Sequence, residues 1–195
     1  MEPPYDPLTY ANLARNVVGA LLDKPPIRLG ELPSFEGNGV YAIYYTGQLD
    51  FYRAVASEDC QIPIYVGKAV PTGARTGGDE QGAEASGHQL YRRLLEHARS
   101  IEQARNLELD DFRCRYLVVV QVWITLAERF LITHFRPIWN TVIDGFGNHA
   151  PGAGRAGTKR PRWDILHPGR SWADALAAAE TPEQVLGRLT GEHTR

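Results

Sequence analysis

Glu128 is the first residue that asks for an explanation. In "WITLAERFLITHF", residues 123–135, Ile124, Ala127, Leu131, Ile132 and Phe135 recur at helical spacing and form one apolar stripe, with Glu128 inside it. A lone carboxylate on a core-facing stripe is costly unless it is paired or holds a metal ion. The plainer alternative is a partner arginine, or a stripe edge that reaches water. Arg93 and His97 stand four residues apart in "QLYRRLLEHARSIEQAR", so a helix brings them to one face, at the edge of a stripe of Leu90, Leu94, Ala98 and Ile101. The plainer account of that pair is a solvated flank. Tyr41 in "GVYAIYYTG" and Tyr65 in "PIYVGKA" are either strand packing, which aromatics favour, or proton-transfer groups. A phenol has a free pKa of about 10, so it acts as a base only beside a cation. None of these features decides alone.

The elements that must position these residues are legible as follows. Apolar positions at helical spacing predict a helix over residues 8–23, and proline and glycine break the pattern after it. Residues 39–47 and 63–69 read as strands. The connection between them, 46–62, is longer than a tight hairpin. Residues 70–88, rich in Gly, Ala and Ser, are loop by composition. A helix follows over 89–105. "FRCRYLVVVQVW", 112–123, reads as a strand buried on both faces, and a second helix over 123–135 is stopped by Pro137. A final helix is expected around 172–189, split at Thr181-Pro182 with Pro182 at a first helical position. Strand alternation puts Tyr41, Ile43 and Tyr45 on one face and Tyr44 on the other.

The bulk numbers fit one domain with additions. The chain has 195 residues, 43% hydrophobic and 23% charged. A net charge of −2 does not suggest a nucleic-acid partner, but binding responds to local patches. Residues 151–172 carry Arg155, Lys159, Arg160, Arg162 and Arg170 against one acid, Asp164. Two cysteines, Cys60 and Cys114, make neither a disulfide framework nor a zinc cluster, and a reduced, cytoplasmic setting is expected. There is no signal-peptide pattern at the start and no apolar run long enough to span a membrane.

Taken in order, "GVY" at 39–41, "YVG" at 65–67, Lys68, Arg93 and His97 on a helix, Glu128 on a second helix, and Asn140 resemble the GIY-YIG nuclease superfamily. Each three-letter motif is weak alone; the ordered set is specific. Valine stands for isoleucine in both motifs, an apolar exchange that leaves the chemistry untouched. His97 stands where some members carry a tyrosine. The resemblance implies an α+β fold, with a small, mainly antiparallel three-stranded sheet in the order β-β-α-β-α. It divides the chain into an N-terminal helical extension, 1–36, a catalytic core, 37–142, with insertions at 46–62 and 70–88, and a basic extension, 143–195. The Arg93-x-x-x-His97 spacing, the glycine-rich loop and the "NTVIDGFGNH…KRPRW" stretch look like the type II restriction-endonuclease branch, most like the enzymes that cut CCGCGG (the SacII specificity).

The reaction so implied is phosphodiester hydrolysis in double-stranded DNA. Glu128 is then the metal ligand, for Mg²⁺ with Mn²⁺ as a substitute, since one carboxylate and several waters suit that ion. Arg93 offers its planar fork to a phosphate oxygen. Water activation falls to Tyr41, Tyr65 or His97, with Tyr41 assisted by Lys68 as the favoured assignment, Tyr65 orienting water or phosphate, and His97 relaying a proton or holding Tyr41. Asn140 supports the site by hydrogen bonds. Guanine is read best by arginine; the candidates are Arg75, Arg113, Arg115, Arg155, Lys159, Arg160 and Arg162. For any one of them a phosphate contact is the plainer account. A palindromic target implies a homodimer, and a companion DNA methyltransferase is expected in the cell, though not as a stable complex. The rivals are a repair- or mobile-element-type nuclease and an inactive DNA-binding protein on the same fold.

Overall fold

The computed structural model describes residues 8–71, 87–151 and 157–192. Its centre is an antiparallel sheet of β1 (Ile27–Arg28), β2 (Gly39–Tyr45), β3 (Tyr65–Ala69) and β4 (Phe112–Val118), in the order β1-β4-β2-β3. The sheet therefore has four strands where three were expected. The extra one, β1, pairs only Ile27 with Cys114 and Arg28 with Arg113, and two residues cannot display an alternating pattern.

β2 lies between β3 and β4, and all seven of its residues are buried. Its alternation divides the interior into two layers. Tyr41, Ile43 and Tyr45 face a layer that includes Leu90, Leu94 and Ile101 of α2 (Gln89–Gln103). Val40, Ala42 and Tyr44 face Ile124, Ala127 and Leu131 of α3 (Gln121–Phe135), with Val18 and Leu21 of α1 (Tyr10–Leu22). α1 starts two residues later than the pattern suggested, because the Thr9 hydroxyl caps it by accepting from the Asn12 N–H.

The valine run differs from its sequence reading. β4 ends at Val118 and α3 begins at Gln121, so "VVVQVW" is a strand end, a turn and a helix start rather than one strand. Val118, Val120, Val122 and Trp123 are all at least half exposed. An apolar run shows that burial is favourable, not that a partner surface exists in the same chain.

The C-terminal segment is also more internal than a solvated tail. After α4 (Ile138–Thr141) come α5 (Arg162–Leu166), α6 (Ser171–Asp174) and α7 (Pro182–Glu192). Phe146, Trp163, Ile165, Leu166, Val185 and Leu189 join the α2-side layer. Pro182 does occupy a first helical position, and α5, with its five residues, gave no periodic signal.

One buried polar chain ties this segment to the sheet. The Trp139 indole donates to the Tyr52 hydroxyl at 2.8 Å, which meets His167 Nε2 at 2.5 Å, and His167 Nδ1 meets Asn106 Oδ1 at 3.0 Å. An amide oxygen only accepts, so Nδ1 carries the proton and Nε2 accepts from the phenol. Burial pushes the His167 pKa down to about 3. The unfolded imidazole takes up a proton below about pH 6.5, where the folded one does not. Stability from this group is therefore complete above about pH 6.5 and falls with pH by about 1.4 kcal/mol per unit until the folded pKa is reached. The melting temperature should drop clearly between pH 7 and pH 5. A His167→Gln protein should show a shallower drop, and equal slopes in the two proteins would refute the assignment.

Candidate active site

The site is built at β3, the free edge of the sheet. Tyr41 pairs in register with Gly67 of the neighbouring strand. A Cβ at Gly67 would collide with the Tyr41 phenol, so the glycine of "YVG" is what lets that ring lie across β3. The phenol oxygen then reaches His97 Nε2 at 2.5 Å. His97 is 2% exposed. Phe146 stacks on its ring, with centroids 4.5 Å apart and planes 21° from parallel, and Tyr65 meets it edge-on at 5.1 Å.

This enclosure fixes the protonation states. Burial pushes the Tyr41 phenol well above its ordinary value, the neighbouring Tyr65 adds to that, and Arg93 opposes it. Burial pushes His97 well below the usual imidazole range, and Arg93 acts in the same direction. Both groups are neutral at pH 7, and the short contact between them is a hydrogen bond between a neutral phenol and a neutral imidazole. Tyr65, half-buried, is also raised by burial, with Arg93 opposing.

Arg93 lies beside both phenols. Its Nη1 donates to Glu96 Oε2 at 2.8 Å and to His149 Nε2 at 2.7 Å, and its Nη2 donates to the Gly147 carbonyl at 2.8 Å. A Cβ on Gly147 would lie 2.6 Å from the Tyr65 hydroxyl. Arg93 and His97 are thus not a solvated flank but the polar floor of a cleft.

Lys68 and Glu128 approach from the other face. Lys68 lies three positions after Tyr65, an odd step, so the two leave β3 on opposite sides. Lys68 Nζ meets Glu128 Oε2 at 2.8 Å and donates to the Thr125 hydroxyl at 3.3 Å. The cation beside Tyr41 is accordingly Arg93, not Lys68; strand parity directs the lysine away from the phenol. Glu128 is 21% exposed at its side chain, so it stands at the watered end of its stripe, paired as the plainer sequence account allowed, but with a lysine. Its charge still bears on both Tyr41 and Tyr65.

Asn140 secures the edge between the two faces. Its Oδ1 accepts from the Val66 N–H and its Nδ2 donates to the Val66 carbonyl, both at 2.8 Å. The Trp139 N–H donates to the Ile64 carbonyl at 3.0 Å. One amide side chain thus does the work of a neighbouring strand, and β3 is held straight where the site needs it.

The candidate DNA-contacting cations are more scattered. Arg75 and Arg155 lie outside the described residues. Lys159 is exposed. Arg160 donates to the carbonyls of Ala173 and Asp174, and Arg162 pairs with Glu180 at 2.8 Å. Arg113 donates to the Asp110 carbonyl at 2.6 Å. Arg115 is a correction: it is 5% exposed, donates to the Lys24 and Cys60 carbonyls, and packs over the Tyr44 ring at 4.9 Å. A guanidinium engaged this way ties the end of α1 to the sheet and cannot face DNA.

Sequence reasoning did not find Phe146, Gly147 or His149, which close the cleft over α2. They sit in an irregular turn, where neither helical nor strand periodicity exists to betray a role. The flanking glycines of "GFG" were the available signal.

Two tyrosines on adjacent antiparallel strands, an arginine helix over one face and a carboxylate helix over the other make this fold and site those of a GIY-YIG nuclease. The Eco29kI GIY-YIG domain matches the chain over residues 33–192, and the chain belongs to that restriction-endonuclease family. No curated protein matches the chain.

Proposed function

We propose that this chain is a type II restriction endonuclease that hydrolyses double-stranded DNA at a short G·C-rich palindrome, CCGCGG, acting as a homodimer in the cytoplasm beside a companion methyltransferase. The observation that carries the proposal is the buried Tyr41–His97 hydrogen bond, 2.5 Å long, next to Arg93 and across a strand edge from Glu128. Such a pair has no need of a cleft if its task is only to fill a core.

Tyr41 takes a proton from the attacking water while its own proton passes to His97 Nε2. The incoming phosphodiester brings negative charge beside Arg93, which offsets the guanidinium's pressure against a charged imidazole. Arg93 exchanges a present acceptor for a phosphate oxygen and stabilises the charge that grows there. Tyr65 orients water or phosphate. Asn140 keeps β3 in place and takes no proton.

The donor set fits a single hydrated divalent ion. Among the described residues no cluster of three or more His, Cys, Asp or Glu exists; Glu96 is taken up by Arg93, which leaves Glu128 as the carboxylate proposed for the ion. Mg²⁺ suits one carboxylate, because it keeps several waters and takes its remaining ligands from substrate phosphate; Mn²⁺ would substitute. When bound, the ion supplies Lewis-acid stabilisation of the departing 3′ oxygen. Lys68 holds the Glu128 carboxylate, which would carry the ion.

Lys159, Arg160 and Arg162, with Arg75, Arg113 and Arg155, are the proposed DNA contacts. A phosphate contact would weaken binding equally on all sequences, and a base contact would relax specificity. Val118, Val120, Val122 and Trp123 are exposed apolar residues, and three of them, Val118, Val120 and Trp123, line one groove with Leu13 and Val17 of α1, which supports a dimer face on the α1–α3 side.

The test is digestion of a plasmid bearing one CCGCGG site, with Mg²⁺. One double-strand cut at that site supports the whole reading. Cutting elsewhere, or random nicking, keeps the nuclease and removes the sequence assignment. No cutting with any divalent ion, together with a gel shift, would replace the enzyme by a DNA-binding protein.

A further inference from the structure

Arg170 and Asp164 form the most deeply buried ion pair among the described residues, at 2% and 0% side-chain exposure. Nε and Nη2 of Arg170 donate to the two Asp164 oxygens, each at 2.6 Å. The remaining donors go to three carbonyls of one turn. Nη2 reaches Gly145 at 3.0 Å, and Nη1 reaches Phe146 at 2.9 Å and Asn148 at 3.2 Å. A guanidinium has five N–H groups, and all five are used. Its carbon lies over the rings of Trp163 at 4.6 Å and Trp172 at 4.9 Å.

Stability alone does not call for this arrangement, since apolar side chains of similar volume often serve a core as well as a buried ion pair. An apolar side chain could not, however, fix three carbonyls of an irregular turn. That turn carries the groups that close the cleft. Phe146 stacks on His97, the Gly147 carbonyl accepts from Arg93, and His149 Nε2 accepts from Arg93 as well.

The geometry points to the Arg170–Asp164 pair as a positioning device for cleavage: it sets the 145–148 turn, and through it the seal over His97 and the aim of Arg93. Neither residue touches the reacting atoms. The inference rests on the nuclease reading and adds two residues to it, from a segment whose bases were otherwise assigned to DNA contact.

Asp164→Asn tests it, because the amide keeps the volume and loses the charge and one acceptor. Single-turnover cleavage and DNA affinity are measured on the same preparation, with hydrogen exchange of the 145–149 amides. The expected result is a folded protein with faster exchange in the turn and DNA affinity close to native. Its cleavage rate should be down on the order of 100-fold, the scale that a misplacement of about 1 Å produces. A purely structural role would lower the folded fraction without separating rate from affinity. Arg188→Gln, which breaks an exposed pair with Glu180, should cut at the native rate.

A folded Asp164→Asn protein that cuts as fast as the native one overturns the proposal while the nuclease reading stands. If that variant does not fold, Phe146→Leu, which leaves the pair intact and removes the ring that stacks on His97 and also packs on Tyr65, Trp139 and Trp163, decides in the same way: a native rate overturns the proposal, and a lowered rate with kept affinity supports it. A native protein that cuts no DNA removes the nuclease reading and the proposal together.

Discussion

Glu128→Ala should leave a folded protein that binds DNA and does not cut it. The carboxylate is 21% exposed and its partner Lys68 32%. A partly solvated pair of this kind contributes little to stability, about 0–1 kcal/mol, and the lysine left behind can turn to water. Catalysis loses far more. A bound divalent ion supplies several kcal/mol of transition-state stabilisation, and each ~1.4 kcal/mol is tenfold in rate. A loss of about 1,000-fold or more is therefore expected in plasmid cleavage, with the gel shift retained and the melting temperature within a few degrees. Cleavage within about tenfold of native would move the metal away from Glu128, since one lost electrostatic stabiliser alone costs about 100-fold or more.

Tyr41→Phe should fold, cut slowly, and identify the proton path. The substitution removes one oxygen from a ring with no exposed surface. It leaves His97 Nε2 without its 2.5 Å partner, a buried polar loss of about 1–3 kcal/mol in stability. General-base catalysis contributes about 100- to 10,000-fold, and the cleavage rate should fall by that much. His97→Ala should give a similar loss, and the double variant little more than either, because groups that pass one proton act as a unit. Tyr52→Phe is the control. It removes an equally buried phenol from an equally close histidine, His167, and should lower stability without lowering the rate in the folded protein. The pH profile supplies a second check. His97 lies well below the ordinary imidazole range through burial, then Arg93. The rate should therefore not fall as the pH passes below 6.5, and should fall only nearer the depressed value. Retention of near-native cutting by Tyr41→Phe would transfer water activation to Tyr65.

The candidate site of this protein was readable as far as it is carried by short-range patterns. β2 and β3 show period two with tyrosines at their motif positions, and α2 and α3 show stripes at helical spacing. Tyr41, Tyr65, Arg93, His97 and Glu128 follow from those patterns once their order is matched. The partners of these residues were not readable, because contact across the sheet leaves no mark in local sequence. Glu128 found Lys68 rather than an arginine, and Tyr41 found His97 and Arg93 rather than Lys68. Arg115 shows the opposite case: an arginine on a strand is a fair candidate for DNA contact, whereas the carbonyls of Lys24 and Cys60 make its burial tolerable. The 145–149 turn and the Arg170–Asp164 pair stayed hidden because irregular backbone has no period to read.

The position of the site on β3 also imposes a rule of parity on this short strand. Tyr65 and Lys68 face opposite layers because they are an odd number of positions apart, three. One inserted or deleted residue between them would send the lysine into the α2 layer and leave Glu128 facing a gap, a change that no rotamer can undo. Two inserted residues would restore the sides but slide one half of the site past the other by about 7 Å. Length changes are therefore better placed where the chain joins strand ends, such as the parts of 46–62 outside Tyr52 and Cys60, where a residue more or less moves neither jaw. Drift in such a chain has room in the connection between β2 and β3, away from its anchors Tyr52 and Cys60, and is arithmetically forbidden within β3.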